Sequence, residues 1–206
     1  MKADKKYKTV KTTTEGSYRE KGSRFFAFAI PCSTPDEAKI HLDTLWKKNP
    51  GAVHVCYAWR FGKTNFSDRF SDDGEPSNSA GKPIFGQIIS YDLTNILIAV
   101  VRYYGGTNLG VGGLIQAYKT AADDALSKAE IVEHDLLDYF KISFDFSSTG
   151  DVMNILSANK AIIMDQSHSD QGTHLDISIA QLKSDHILNL FQPLHTVEIK
   201  KTGSDQ

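Results

Sequence analysis

Residues 96–129 read ILIAVVRYYGGTNLGVGGLIQAYKTAADDALSKA, and they carry the clearest structural pattern in this chain. Six consecutive apolar residues, Ile96 to Val101, predict a strand. Beyond the glycines, apolar side chains recur at helical spacing and predict a helix that is buried along one stripe. The members of that stripe are Leu114, Tyr118, Ala121, Ala122, Ala125 and Ala129. A strand that leads through a glycine-rich connection into such a helix indicates a domain that mixes helices with a sheet.

The sequence before residue 96 predicts two more strands and two more helices. The aromatic run Phe25–Ile30 and the alternating segment Val53–Phe61 both predict strands. Between them a helix is expected to begin at Pro35, because Thr34 is a good N-cap and Glu37 completes a capping box. Its buried stripe is predicted to be Ala38, Leu42, Leu45 and Trp46. After a loop-rich segment at residues 71–81, a short helix is predicted to carry Ile84, Phe85, Ile88 and Ile89.

The pattern changes after the polar stretch Glu130–Asp135. From Asp138 onward the predicted elements follow the order β-α-β-β-α-β, which is the ferredoxin-like split unit. We therefore expect an α+β protein of two domains, residues 1–135 and residues 136–206.

Composition excludes several classes of protein. The chain has 206 residues, of which 40% are hydrophobic and 23% are charged, so a disordered or fibrous protein is excluded. No apolar stretch reaches the roughly 20 residues that cross a bilayer, and the first residues lack the apolar core of a signal peptide. The two cysteines, Cys32 and Cys56, fit a reducing compartment. We expect a cytoplasmic protein without membrane contact.

Charge is distributed unevenly along the chain. The formal net charge is −2, yet residues 138–206 carry five basic and nine acidic side chains, which leaves the preceding residues slightly basic. The first 24 residues contain eight basic and three acidic side chains. A basic segment of this kind suits contact with phosphates or with an acidic protein. The alternative is a solvated basic edge strand that resists aggregation.

The connection between the predicted strand and helix is a candidate anion site. Its five glycines allow backbone amides to approach a ligand, and the helix that follows offers unpaired N–H groups. The candidate residues are Arg102, which could supply charge, Tyr103 and Tyr104, which could stack on bases, and Gly105, Gly106, Gly110, Gly112 and Gly113. The connection is neither a Walker loop nor a dinucleotide fingerprint. The alternative interpretation is a tight turn that only glycine can make.

An acidic cluster lies in the loop-rich segment. Asp72, Asp73 and Glu75 could hold Mg²⁺ through oxygen atoms or serve in acid–base chemistry. Adjacent aspartates on an extended chain point in different directions, and carboxylates beside Gly and Pro commonly cap turns and helices. Both interpretations stay open from the residues alone.

No other pattern predicts a metal, a cofactor or a catalytic residue. His54 and Cys56 share one face of a predicted strand, but a structural zinc site needs four ligands and no second pair completes the set. Histidines 168, 174, 186 and 195 lack ligand spacing and are predicted to lie on the surface. We expect no haem, no dinucleotide and no catalytic nucleophile.

The motifs in combination resemble the bacterial two-domain form of the IMPACT/YigZ family. They are Ser23-Arg24-Phe25, His54 through Arg60, Asp72-Asp73-Gly74-Glu75-Pro76-Ser77 with Ala80-Gly81-Lys82-Pro83, and Arg102-Tyr103-Tyr104-Gly105-Gly106 with Leu109-Gly110 and Gly112-Gly113-Leu114. The resemblance implies a first domain with the ribosomal-protein-like α+β fold of elongation factor G domain IV, and a role in translational control. The chain departs from the family pattern at Asn78-Ser79, where Gly-Thr is common, and at Asn108 and Gln116, where Lys and Arg are common.

Three functions follow as hypotheses. The first is a non-catalytic module that binds RNA, the ribosome or a translation factor through the glycine-rich connection, with Arg24, Lys82 and Lys119 as further cations. The second is an enzyme that acts on a phosphorylated small molecule with Mg²⁺ held by the acidic cluster. The third is a protein–protein interaction module that docks through the exposed sheet of the second domain. The sequence predicts neither the partner nor the oligomeric state.

Overall fold

A computed structural model describes residues 5–170 and 172–205 of the chain, and these form two compact units. Residues 7–133 make the first unit, and residues 134–170 and 172–205 with residues 5 and 6 make the second. The bounds expected from the sequence instead placed residues 5, 6, 134 and 135 in the first domain. The two-domain α+β class is confirmed.

The first unit is built on a five-stranded sheet with the order β2-β3-β6-β4-β5, and β1 and β7 form a separate two-stranded sheet. All neighbouring strands of the larger sheet are antiparallel. The strands are β1 (Lys6–Val10), β2 (Thr14–Glu20), β3 (Ser23–Pro31), β4 (His54–Phe61), β5 (Ser67–Ser71), β6 (Ile96–Tyr103) and β7 (Ile131–Asp135). The helices are α1 (Pro35–Lys48), α2 (Gly81–Ser90) and α3 (Gly110–Ser127).

Both faces of this sheet are covered. On one face α2 and α3 pack on the sheet over a core that includes Ile84, Tyr118 and Val100, and on the other face α1 packs through Ala38 and Leu45. The middle strand β6 is therefore buried along seven of its eight residues, which explains why its sequence is continuously apolar. The sheet and the two helical layers hold the loops at the ends of the strands in place.

The start of α1 forms as its sequence predicts. The Thr34 hydroxyl accepts a hydrogen bond from the Glu37 amide at 3.2 Å, and the Glu37 carboxylate accepts one from the Ser33 amide at 2.8 Å. Trp46, which was predicted to be buried, is 40% exposed. The stripe prediction fails there because Trp46 lies at an open groove beside β4, where no other element covers its outer side.

Two further predictions need correction. The strand β5 lies in sequence that showed no strand pattern, because its residues are largely exposed and polar at the edge of the sheet. The helix α3 begins at Gly110, so Gly110, Gly112 and Gly113 belong to its first turn and not to the connection before it. The apolar stripe further along α3 fixes the helix strongly enough to include these weak helix formers.

The second unit is a four-stranded antiparallel sheet with the order β11-β8-β10-β9, which is the ferredoxin-like order and confirms that prediction. Its two helices cover one face through Val152, Leu156, Ile187 and Phe191. The elements are β8 (Leu137–Phe144), α4 (Thr149–Ala158), β9 (Ile162–Ser169), β10 (Gly172–Ala180), α5 (Ser184–Phe191) and β11 (Val197–Ser204). Histidines 168, 174, 186 and 195 are exposed, as predicted.

Candidate functional site

The acidic loop and the glycine-rich connection meet at one end of the first unit. Residues 72–80 connect β5 to α2, and residues 104–109 connect β6 to α3. An ion pair between the Arg102 guanidinium and the Glu75 carboxylate joins the two segments. The two motifs that the sequence presented separately are therefore parts of one structure.

A buried polar cluster forms the base of this structure. The Glu75 Oε1 accepts hydrogen bonds from Arg102 Nη1 and, at 2.7 Å, from the Tyr118 hydroxyl of α3. The Cys56 Sγ lies 3.3 Å from that hydroxyl and 3.0 Å from the Asp72 carbonyl oxygen. Burial raises the pKa of the Tyr118 hydroxyl and the pKa of the Cys56 thiol, so both groups stay protonated at neutral pH. A protonated, buried thiol is a poor nucleophile, which assigns Cys56 to the scaffold.

The sequence interpretation needed Arg102 to present an exposed charge, and the structure shows that it does not. Its side chain is 6% exposed and its charge is paired with Glu75, because β6 carries it onto the face of the sheet that α3 covers. The guanidinium carbon lies 5.5 Å from the Phe25 ring centre and 5.7 Å from the Tyr104 ring centre. Its Nε has no hydrogen-bond partner within residues 5–170 and 172–205. Because this Nε is itself buried, Arg102 offers no surface donor to an external anion.

The two aspartates of the acidic loop hold the backbone. Asp72 Oδ1 accepts hydrogen bonds from the amides of Ala80 and Gly81 at 2.9 and 2.8 Å, so it occupies the N-terminus of α2. Asp73 Oδ2 accepts one from the Val55 amide at 2.7 Å. The structure thus favours the capping interpretation of these residues, since each carboxylate already has internal donors. Within the described residues no group of three His, Cys, Asp or Glu side chains is arranged to hold a metal ion.

Gly105 is required by a close approach of two turns. A Cβ atom at this position would lie 1.9 Å from the carbonyl carbon of Gly22, in the turn between β2 and β3. The Gly105 amide also donates a hydrogen bond to the Ser23 hydroxyl at 3.1 Å. This glycine is therefore explained by packing alone, as the alternative interpretation of the sequence expected.

The N-terminus of α3 is open, in contrast to that of α2. Its N-cap is Leu109, no side chain accepts a hydrogen bond from its first amides, and its first turn has no acidic residue. Gly112 is exposed, and a Cβ atom there would contact nothing within 4 Å. The internal structure gives no reason for glycine at residue 112. The first turn of α3 therefore offers free amides and an unobstructed surface, which is the chemistry of an anion site.

The other predicted residues lie at different distances from this helix end. Arg24 is exposed, is paired in register with Tyr103 and lies 5.1 Å from that ring. Tyr104 is 48% exposed, and its hydroxyl donates to Asn108.

Lys82 is exposed near the start of α2. Lys119 is exposed but lies nine residues after Gly110, roughly 14 Å along the helix axis, so it is separate from the glycines. Gly106 lies in the connection between β6 and α3 with a φ of 85°.

The sequence interpretation missed the roles of two hydroxyl groups. The Ser23 hydroxyl accepts the hydrogen bond from the Gly105 amide. Tyr118 was assigned to the apolar stripe of α3, where it does lie, but its hydroxyl also completes the Glu75–Arg102 cluster. A tyrosine in a stripe otherwise composed mainly of alanine and leucine was the available signal, because a buried tyrosine hydroxyl needs a partner.

None of the helices in the described part of the chain has the length and apolar character that crossing a membrane requires. The fold and the site define a two-domain α+β protein whose first domain joins an acidic loop and a glycine-rich loop through a buried ion pair. The family model of the Impact N-terminal domain matches residues 21–126. The chain belongs to the IMPACT family.

Curated relatives agree with that membership, and a solved structure agrees with the fold. IMPACT family member YvyE of Bacillus subtilis is 31% identical over 164 residues, which cover 80% of this chain and 76% of that protein. An IMPACT family member of Thermus thermophilus is 40% identical over 138 residues, 66% of this chain and 73% of that protein. A solved structure of a hypothetical protein covers 97% of this chain and 98% of its own chain with a TM-score of 0.72 and 23% identity, which supports the fold.

Proposed function

We propose that this chain is a non-catalytic, cytoplasmic binding module that contacts RNA, free or within the ribosome, and acts in translational control, as its family resemblance implies. The contact is made by the open N-terminus of α3 together with Arg24, Lys82 and the exposed Tyr104. Phosphate groups would accept hydrogen bonds from the α3 amides, and the two cations would lie beside them.

The observation that carries this proposal is the difference between two helix ends in the same unit. Asp72 fills the N-terminus of α2, whereas the N-terminus of α3 has no side-chain cap and no acidic residue in its first turn. An uncapped helix end, together with the exposed Arg24 that pairs with Tyr103 at the end of β6, favours an external anion. With few cations available, we expect the affinity to be modest and to fall with rising salt concentration.

Co-sedimentation with ribosomes across about 50 to 300 mM salt tests the proposal. The protein should associate at the low end and dissociate toward the high end. An R24A/K82A variant should reduce the slope of log K against log salt by about two, since each residue contributes about one phosphate contact. A K47A/K200A variant removes two exposed lysines from α1 and β11 and serves as the matched control.

The outcomes separate the hypotheses. Absence of association at low salt contradicts the proposal. Association that is unchanged by salt and survives removal of RNA would indicate a protein partner such as a translation factor. A loss of binding in K47A/K200A would indicate a contact through α1 or through the second unit, and not through the N-terminus of α3.

A further inference from the structure

A groove of about 370 Å³ lies between α1 and the strands β4 and β5. Its floor includes Tyr57 and Trp59 of β4, and one wall includes Leu42 and Trp46 of α1. This face of the sheet is covered by α1, whereas Arg102 contacts Tyr118 of α3 through Glu75. The groove is therefore distinct from the proposed RNA contact. Both tryptophans of the chain line it.

Trp59 has an unused hydrogen-bond donor. Its side chain is 6% exposed, and its indole Nε1 has no partner in the described part of the chain. The ring is stacked between Tyr57 and Phe61 with centre distances of 5.3 Å on both sides, so it cannot turn easily toward another acceptor. Buried polar groups in native proteins almost always have a partner. An acceptor supplied by a ligand in the groove would satisfy this N–H.

Trp46 gives the groove an exposed apolar wall. Its indole is 40% exposed although it belongs to the stripe of α1 that faces the sheet. A large aromatic side chain that is left in solvent beside a concave surface favours burial against another apolar group. The ligand therefore needs an apolar group as well as an acceptor.

The charges around the groove narrow the chemistry of the ligand. Its lining includes Asp36, Asp43, Lys39 and Arg69, and also Asp73, whose carboxylate accepts the Val55 amide. The first four side chains are exposed, and none of them forms an ion pair with another described residue. Carboxylates on the rim repel a polyanion such as RNA, and the two cations disfavour a purely cationic ligand. A ligand with charges of both signs suits this rim.

We propose that the groove binds an extended peptide segment of a partner protein, with one large apolar side chain flanked by residues of opposite charge. The peptide supplies a backbone carbonyl for Trp59 Nε1, an apolar side chain for Trp46 and Leu42, and charged side chains for the rim. The volume is at the small end for ligand pockets and suits one large side chain with its adjacent backbone. This proposal goes beyond RNA binding and does not depend on it.

Tryptophan emission reports directly on the groove, because both fluorophores line it. The full chain is titrated with Ac-Lys-Phe-Glu-NH2 and with Ac-Glu-Phe-Lys-NH2. We expect at least one of them to produce a saturable change in emission. The peptide Ac-Lys-Gly-Glu-NH2, which lacks the apolar side chain, should bind about tenfold more weakly or not at all.

Variants of the protein separate binding from folding. W59F removes the N–H donor and should weaken the peptide about fivefold, the value of one ordinary hydrogen bond, without lowering stability. W46A should also weaken it, and Trp59 then remains as the reporter. I40A is the matched control, because Ile40 is an exposed apolar residue of α1 that does not line the groove.

Four results would overturn the proposal. They are the absence of a saturable change with either Phe peptide up to about 10 mM, equal binding of the Gly peptide, unchanged affinity in both tryptophan variants, and displacement of the peptide by oligouridylate. The last result would mean that the groove takes RNA. The R24A/K82A variant should bind the peptide normally, so failure here is distinguishable from failure of the ribosome experiment.

Discussion

The two units of this chain differ in how completely they satisfy their buried polar groups. In the second unit, Asp138 is 4% exposed and accepts hydrogen bonds from Lys201, Ser184 and Ser204 at 2.8, 2.6 and 2.7 Å. In the first unit, Arg102 Nε and Trp59 Nε1 are buried without partners among the described residues, and the described residues of the second unit include no such side-chain atom. The two unused donors lie on opposite faces of the same sheet.

This difference indicates where external ligands are expected. A fully paired buried group contributes to folding and has no capacity left for a ligand, whereas an unpaired donor destabilises the free protein and is satisfied when an acceptor binds. We therefore expect binding functions in the first unit. The following predictions test the comparison, beginning with the largest expected effect.

Removal of the Glu75 carboxylate should have the largest effect on the first unit. E75A leaves the buried Arg102 charge without its partner and should lower the free energy of unfolding by about 3–5 kcal/mol. Urea unfolding followed by tryptophan emission measures it, because both tryptophans lie in the first unit. The double variant E75L/R102M removes both charges and should recover most of the loss. If E75A is as stable as the unmodified protein, the ion pair is not a structural element.

The G105A variant tests the close approach of the two turns. An added Cβ would collide with the backbone of Gly22, so the turns must separate, at a cost of about 2–3 kcal/mol. The same urea experiment measures this loss. A loss below about 0.5 kcal/mol would contradict the tight packing of residue 105.

In the second unit, D138N should lower stability by about 2 kcal/mol at neutral pH, because hydrogen bonds to a buried charge are lost. Burial alone would raise the pKa of Asp138, but the hydrogen bonds from Lys201, Ser184 and Ser204 outweigh it and lower the pKa. The stabilisation is therefore present above the ordinary aspartate pKa of about 3.9 and is lost as the pH falls through the lower folded value. Hydrogen exchange at β8 and β10 should show a difference from the unmodified protein at about pH 7 that shrinks toward about pH 2. A difference that is independent of pH would contradict the assignment.

The smallest effect, and the one of opposite sign, is expected for G112A. Alanine is a better helix former and meets no neighbour at this position, so stability should rise by about 0.5–1 kcal/mol. If the N-terminus of α3 contacts phosphate, the same methyl group should weaken ribosome association, which co-sedimentation measures. A rise in stability with unchanged association would remove Gly112 from the contact.

Much of the fold could be predicted from the sequence because its signals are local. The capping residues Thr34 and Glu37 and the alternation after Asp138 each depend on neighbours within a few positions, and they predicted α1 and the ferredoxin-like order. The edge strand β5 was missed because a short, exposed, polar strand has no apolar alternation.

The candidate site could be predicted only in part, because its chemistry depends on distant partners. The sequence located the segments around residues 72 and 102, but Arg102 was interpreted as a free cation. Its partner Glu75 is 27 positions away, and only the folded sheet brings the two together. Trp46 was assigned to the core for a similar reason, since helical spacing gives the direction of a side chain but not how much of it the neighbouring elements cover.

The contact between Gly22 and Gly105 has an evolutionary consequence. Residues 22 and 105 cannot change independently, because a side chain at residue 105 has room only if the turn around residue 22 takes another shape. Among relatives with this fold, a replacement of one glycine should accompany a replacement of the other or a change in the length of the turn. Ser23, whose hydroxyl receives the Gly105 amide, should vary with them. We therefore expect these three positions, in two distant segments, to change together.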